Sequence, residues 1–498
     1  MPALAPAHLA IDLGASGGRL IAGSLEDGKL HMEATHRFPN EPVRVHQTVQ
    51  WDLLGLWREI QSGLTMQAAQ GRKILSIGVD TWGVDYVLVD GNGNVAGPTM
   101  HYRDGRTRGM MERAFGMVPR DEIFAATGIQ FMDINTLYQL LSAVLCSDPP
   151  IQIAHSFLMI GDYFHWLLSG QQGIEVTNAS TTQMLDPRTK LWAKPMLERL
   201  GIPTGLFADP LEPGTTLGGV QPSVAEFTGI GEVPVVLPAT HDTASAVLAV
   251  PARDFAPARP DWCYISSGTW SLMGCELAAP RVDEACSRLN FTNEGGVRGS
   301  TRLLKNIGGL WIFQQIRESL RRRGETVTWE QMVAEAAQAP PFGLLLDPDA
   351  PGFVNPGDML DAIACFASET DQELPSEKPV LYRAALEGLA LRYRVCLGML
   401  EELIGGRIET IHVVGGGSLN ELLCQMTADA CDRVVIAGPV EATATGNLLM
   451  QMIGSGALAS IEEARGLVRA SVPLKRYEPR HPDRWSHAAH RFGQVSGA

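Results

Sequence analysis

The chain has 498 residues, 45% of them hydrophobic, and its 55 acidic against 40 basic side chains give a formal net charge of −15. This length suggests two domains with apolar material for two cores, and the acidic balance argues against nucleic acid or an anionic membrane surface as a partner. A local ring of N–H groups with one Arg can still take an anionic ligand.

The 8 Cys include no C-x-x-C pair, so neither a zinc site nor a redox motif is spelled out. Cys275 with Cys286, or Cys424 with Cys431, could pair, but a chain of this size does not need staples, and reduced, mostly buried thiols are expected. The N-terminus lacks a basic n-region, and no run approaches the roughly 20 apolar residues of a membrane helix. A cytoplasmic protein, monomer or homodimer, is the expectation.

Strands are expected at Leu9–Leu13, Arg19–Ser24, Leu30–Arg37, Ile74–Val79 and Tyr86–Val89, with a hairpin turn at Gly91-Asn92-Gly93-Asn94. Helices are expected at Leu53–Ala69, Asp121–Thr127, Thr136–Cys146 and His155–Ser169. Within the first of these segments, Asp12 closes a strand and Gly14 to Gly18 form a turn without bulk. Such a turn lets backbone N–H groups face one anion, and Asp12 could hold a hydrated Mg²⁺ against the same phosphate. A plain hairpin turn is the alternative.

The prolines Pro251, Pro257 and Pro260 mark an exposed connection over Pro251–Asp261 and place a border between domains 1–250 and 251–498. Beyond it come a strand Trp262–Ser266, a second small-residue turn Ser266-Ser267-Gly268-Thr269, and helices at Gly309–Arg322, Trp329–Ala337 and Leu381–Ile404. Two such turns on two halves of a chain suggest a clamped phosphate group. A strand–turn–helix unit follows: Thr410–Val414, Gly415-Gly416-Gly417, and a helix from about Leu419, with Ser418 and Glu421 at capping-box spacing. After a Val-Val-Ile strand, Gly438–Asn447 opens a helix rich in small residues, which allows close approach by a flat ligand such as adenine. No Walker-type P-loop is present.

The opening order, three strands able to form a meander, then a helix, then a strand, is that of the ribonuclease-H-like domain of actin and hexokinase. Six motifs then carry a resemblance to the FGGY carbohydrate kinase family from about Ala10 to about Val468. They are Asp12-Leu13-Gly14-Ala15-Ser16, Gly78 to Tyr86, Tyr102-Arg103-Asp104 with Arg106-Thr107, Thr240 to Ala246, Ser266 to Leu272, and Lys305 to Trp311. The segment Phe353 to Met359 fits the branch of that family acting on L-rhamnulose. Where the family usually has a second hydroxyl, this chain has Gly17.

The resemblance implies an α/β protein with a two-domain actin/hexokinase-like ATPase fold and an active site in the interdomain cleft. It implies ATP and Mg²⁺, and transfer of a phosphoryl group to the 1-hydroxyl of L-rhamnulose. Alternatives are another ketose, such as L-fuculose or a pentulose, a non-catalytic sugar or nucleotide sensor, and a filament-forming protein. By residue, it implies Asp242 as the base accepting the hydroxyl proton, where the bland reading is a helix cap. Gly83, His241, Asp242, Thr243 and Asn306 would touch the sugar. Ala15, Ser16, Gly17, Gly18, Arg19, Thr269, Gln314 and Gly416 would touch the nucleotide, and Asp12 the metal, through water.

Other residues carry two readings each. Asp80 and Asp85 beside Trp82 suit a sugar, or form a structural turn with Trp82 in the core. Arg103 and Asp104 complete the sugar site or form a surface ion pair. Arg19 approaches the γ-phosphate or is a strand-edge charge, and Gln314 is a contact or an exposed helix position.

Overall fold

The computed structural model describes residues 4–354 and 356–496, so Asn355 of the Phe353–Met359 motif lies outside the described residues. The chain forms two compact units: residues 1–258, 276–303 and 442–472 build the first, and 259–275, 304–441 and 473–498 the second. Packing therefore interleaves the chain, and two C-terminal segments return to the first unit. Pro251–Asp261 has no helix or strand. Among the described residues, no helix is long and apolar enough to cross a membrane.

The first unit is built on a sheet in the order Thr216–Gly219, Pro234–Val236, Ile74–Thr81, Ala7–Gly14, Gly17–Glu26, Lys29–Pro39. The last three form an antiparallel meander, while Ile74–Thr81 and Pro234–Val236 join in parallel. Ala7 to Leu13 are buried without alternation, as a central strand covered on both faces requires. The helix Leu53–Ala69 has the bounds its periodicity sets; Asp52 Oδ1 caps it by accepting from Gly55 N–H at 2.8 Å, and Leu56, Ile60 and Leu64 enter the core.

Two local expectations change. Ala154–Met159 is a strand antiparallel to Tyr86–Asp90, and the helix starts only at Ile160. Phe157, Leu158 and Met159 are all buried, and their run resembles a buried helix segment in the sequence. The helix Met110–Met117 has no counterpart among the expected elements.

The second unit repeats the plan. The second sheet, to which residues 276–303 also contribute, carries Thr292–Gly295, Thr301–Ile307, Ser271–Leu277, Trp262–Ser267, Thr410–Val414, Val434–Ala437 and Lys475–Tyr477 in that spatial order. Trp262–Ser267 pairs antiparallel with Ser271–Leu277 and parallel with Thr410–Val414. The two small-residue turns are thus the same element, the first hairpin, in each unit. The helix after Gly415–Gly417 runs Glu421–Cys431, capped by Asn420, whose side chain accepts from Leu423 N–H. Ser418 is not its cap; its hydroxyl turns back to Gly415 O at 2.6 Å. None of the eight Cys is bridged, and six are buried.

The returning helix Ala442–Gly454 is buried along nearly its whole length in the first unit. A Cβ on Gly446 would lie 1.7 Å from Ser245 O, so close packing on the helix Asp242–Leu248 explains this glycine. The small residues from Ala442 onward therefore serve helix packing rather than an adenine face. A buried polar chain links the helix to the sheet. Asn447 Nδ2 donates to Asp80 Oδ2 at 2.5 Å, Gln451 Nε2 to Asn447 Oδ1 at 2.6 Å, Ser76 Oγ to Gln451 Oε1 at 2.6 Å, and His8 Nδ1 lies 2.7 Å from Ser76 Oγ.

At its other end, the helix Asp242–Leu248 meets the guanidinium of Arg465. This group donates to Leu248 O, Val247 O and Asp254 O, and pairs with Glu276 at 2.5 Å, both side chains being at most 1% exposed. Orphan carbonyls at a helix end and a buried carboxylate are satisfied together.

Arg465→Met is expected to cost about 3–5 kcal/mol in denaturant unfolding, because Glu276 is left buried and unpaired, and adding Glu276→Gln should recover part of it. Burial lowers the His8 pKa to about 4. Unfolded His binds a proton near pH 6.5 and folded His8 does not, so this group's stabilising share is lost as pH falls from about 6.5 to about 4. His8→Asn, with its amide nitrogen replacing Nδ1–H as the donor to Ser76 Oγ, should lose less stability across that window, by up to about 3 kcal/mol. Urea melts at stepped pH measure the difference; equal slopes for both proteins would contradict it.

Candidate active site

Register places the chemistry of the first unit in one row. Arg19 is paired with Asp12 across the hairpin, and Asp12 is the parallel partner of Asp80. One residue further along, Thr81 bridges to His241, directly before Asp242. Carboxylates thus collect at the carboxyl ends of adjacent parallel strands, the usual ligand side of such a sheet.

The three acids solve their crowding differently. Asp12 accepts from both Nε and Nη2 of Arg19, at 2.9 and 2.7 Å. Asp80 is wholly buried, and burial pushes its pKa well above the carboxylate range; Asp12 and Asp242 add to this, while the Asn447 hydrogen bond and Arg19 oppose it. Asp242 sits in the first turn of its helix, and Oδ1 accepts from Thr243 N–H at 2.6 Å and Thr243 Oγ1 at 3.2 Å. Its side chain is 31% exposed, against 4% for Asp12 and 0% for the Asp80 residue. Of the three, Asp242 is the one open to a substrate.

Glu175 fixes the approach to Asp242. Its Oε2 accepts from Thr240 N–H at 2.9 Å and Thr240 Oγ1 at 2.6 Å, holding the backbone that leads into His241. His241 is the helix N-cap residue, with its ring buried and Nε2 3.4 Å from Asp242 Oδ1.

The turn Ala15–Ser16 joins Gly14 to Gly17. Asn40 holds it from behind, donating through its backbone to Ser16 O at 3.3 Å and through Nδ2 to Gly14 O at 2.8 Å. A Cβ on Gly18 would lie 2.3 Å from the Phe38 ring, and one on Gly17 3.3 Å from Phe38 O. Packing on the Phe38 ring thus accounts for the glycine at 18, while Gly17 has a tight but smaller approach to the Phe38 backbone. Arg19 lies on an internal strand, between Ala7–Gly14 and Lys29–Pro39, so it is not a strand-edge charge.

Gly83 precedes Val84, whose φ of +66° is unusual for a β-branched residue. The strained turn is pinned by Thr181 Oγ1 on Val84 N–H at 3.0 Å and by Thr136 Oγ1 on Val84 O at 2.5 Å. Asp85 does not face a sugar. Its Oδ2 accepts from the indoles of Trp51 (2.6 Å) and Trp82 (3.0 Å), and its Oδ1 from Gln139 at 3.1 Å. Burial raises its pKa to about 6 against the pull of those donors. Trp82 is a core residue, 5% exposed. Asp104 is likewise a structural acceptor, for Val49 N–H and Arg106 N–H, not half of a surface ion pair. Arg103 stacks over the Tyr102 ring.

In the second unit, Thr269 Oγ1 donates to Gln314 Oε1 at 3.2 Å, so two residues 45 positions apart meet beside the second hairpin. Gln314 is half-buried there rather than on an exposed face. A Cβ on Gly417 would lie 2.0 Å from Ser267 Oγ, and one on Gly415, at φ +83°, 3.1 Å from Ser267 O. These two glycines let the strand–helix turn rest on the hairpin, whereas beside Gly416 there is open space. Asn306 lies on Thr301–Ile307, half-buried.

Sequence reasoning took Asn447 only as the end of the small-residue segment 438–447, and it passed over Asn40, Glu175, Glu294 and Arg302. They act on the site through backbone or through another side chain, and no short motif marks them. Glu294 and Arg302 contact the His241 ring in the first unit.

Residues 7–249 match the N-terminal domain of the FGGY family of carbohydrate kinases, and residues 263–455 its C-terminal domain. The chain is 41% identical to a rhamnulokinase of Bacteroides thetaiotaomicron over 483 residues, covering 97% of this chain and 98% of the relative. It is 40% identical to a rhamnulokinase of Pectobacterium carotovorum, covering 98% and 96%. Among solved structures, a ligand-bound xylulose kinase from Lactobacillus acidophilus superposes with a TM-score of 0.81 at 15% identity, covering 99% of this chain and 98% of that one. Plasmodium falciparum glycerol kinase with ADP gives 0.78 at 13% identity, with the same coverage. With a hairpin-bearing sheet in each unit, a carboxylate row at the strand ends, and both family domains spanning most of its length, the chain belongs to the FGGY family of carbohydrate kinases.

Proposed function

We propose that this chain transfers the γ-phosphoryl group of ATP to the 1-hydroxyl of L-rhamnulose, giving L-rhamnulose 1-phosphate and ADP in L-rhamnose catabolism. The substrate rests on the likeness to rhamnulokinases over nearly the full length. The chemistry rests on one observation, that Asp242 is the exposed carboxylate of the row.

Asp242 accepts the proton of the sugar hydroxyl as its oxygen bonds to the γ-phosphorus and the bond to the ADP oxygen breaks. Thr243 N–H orients the carboxylate for this, and Gly83, His241 and Thr243 hold the sugar. Ala15, Ser16, Gly17, Gly18 and Arg19 present a turn with little bulk to the phosphates. In the second unit Thr269, Gln314 and Gly416 take the nucleotide, and Asn306 supplies a polar contact to the substrate. Binding both reactants in fixed geometry supplies much of the acceleration, and excluding water suppresses ATP hydrolysis.

Among the described residues, no three His, Cys, Asp or Glu side chains converge as a metal cage. One strand-end carboxylate beside a phosphate-binding turn suits Mg²⁺, which keeps waters and binds through one or two carboxylates plus substrate phosphates. Asp12 is the residue that would hold it through water, and the ion would neutralise charge on the phosphate oxygens. A cytoplasmic location, where ATP is available, fits this reading.

The test is ADP release with Mg-ATP across L-rhamnulose, L-fuculose, L-ribulose, D-xylulose and glycerol. Selective turnover of L-rhamnulose that disappears without Mg²⁺ is expected. Selective turnover of another ketose would overturn the substrate and keep the chemistry. Bound ATP without turnover of any would favour a sensor.

A further inference from the structure

Glu294 lies on the strand Thr292–Gly295 and Arg302 on Thr301–Ile307, where no motif draws attention to either. Arg302 is 0% exposed and Glu294 4%. Arg302 Nη2 stands 3.1 Å from His241 Nδ1 and 3.1 Å from Glu294 Oε2, which is itself 3.3 Å from the same Nδ1. Arg302 Nε donates to Gly295 O at 2.9 Å and so fixes the plane of the guanidinium. The other ring nitrogen, Nε2, faces Asp242.

A guanidinium only donates. With Nη2 donating to the lone pair of Nδ1 at 3.1 Å, the single proton of a neutral ring resides on Nε2, 3.4 Å from Asp242 Oδ1, and Glu294 Oε2 meets the guanidinium as an ion-pair partner at 3.1 Å. Without Arg302, the buried Glu294 carboxylate would draw a proton onto Nδ1 and turn His241 into an imidazolium. A cation at that distance favours the charged carboxylate and makes Asp242 a weaker base. We infer that Glu294 and Arg302 are positioning residues that hold His241 as the neutral Nε2–H tautomer, so that Asp242 keeps its strength as proton acceptor. This rests on the reading of Asp242 as the base.

Other charged groups near the ring have partners of their own. Burial would raise the Glu294 pKa, but the Arg302 guanidinium beside it opposes this and the carboxyl stays below its ordinary value. Glu276 also feels Arg302, yet is already paired with Arg465. Glu175 is engaged by Thr240 and Thr177, and Asp80 acts on Asp242 rather than on the ring.

Imidazole ¹⁵N NMR on the full-length wild-type protein, with His241 assigned by its loss in His241→Gln, reads the tautomer directly. The neutral Nε2–H form is expected at neutral pH, and an Nδ1–H form or an imidazolium there would overturn the inference. In pH–rate profiles, Arg302→Met should lower kcat at neutral pH on the order of tenfold or more, with recovery as pH rises and His241 loses its extra proton. Its KM for ATP should not change. Arg302→Lys should keep the wild-type profile, and Arg302→Met with Glu294→Gln should regain most of the kcat. A double variant no better than Arg302→Met, or a profile parallel to wild type, would reduce the pair to a structural role. Should Arg302→Met not fold, the wild-type spectrum decides alone. If Asp242→Asn kept full turnover, the base reading would fall while the tautomer result stood.

Discussion

Three carboxylates at the ends of neighbouring strands are the constraint around which the first unit is arranged. Like charges this close, partly withdrawn from water, cannot all remain ionised without compensation. The fold disposes of two. Asp12 is tied to Arg19 across the hairpin, and Asp80 is driven toward its neutral form by burial while Asn447 holds one of its oxygens. What remains is one exposed carboxylate at a fixed place, Asp242, oriented by the backbone of its own helix.

The returning C-terminal segment makes this arrangement possible. Asn447 and Gln451 reach the sheet from a helix whose Gly446 packs against Ser245 of the helix bearing Asp242. Arg465, from the next helix, closes the far end of that same short helix together with Glu276. Residues more than 180 positions apart thus set the pose of one side chain, and this explains why 442–472 belongs with the first unit. The second unit uses the same hairpin for a different task, resting the Gly415–Gly417 turn on Ser267.

The opening meander with Ile74–Thr81, and the central pair Trp262–Ser267 and Thr410–Val414, were legible in the sequence as apolar runs beside small-residue turns, and Leu53–Ala69 because its apolar spacing is regular. Thr216–Gly219, Ser271–Leu277, Thr301–Ile307 and Lys475–Tyr477 drew no expectation. Ala154–Met159 was not legible, since a short buried strand and a buried helical turn share one pattern. The capping box at Ser418 failed because a 3₁₀ turn, Gly416–Leu419, intervenes and moves the cap to Asn420. In the site, short motifs lead to the residues on the hairpins and at the helix start. Asp85 kept two readings in the sequence because a carboxylate beside a Trp fits a sugar as well as it fits two indole N–H groups. Glu294 and Arg302 were invisible, as their meaning exists only once two separate segments are folded onto His241.

The most direct measurement is the kinetics of Asp242→Asn alongside its affinity for ATP. A carboxamide preserves shape and hydrogen bonding but cannot accept the hydroxyl proton, so the variant should fold and bind ATP normally while kcat falls by about 10²–10⁴-fold. Near-normal turnover by that variant would contradict the account at its centre.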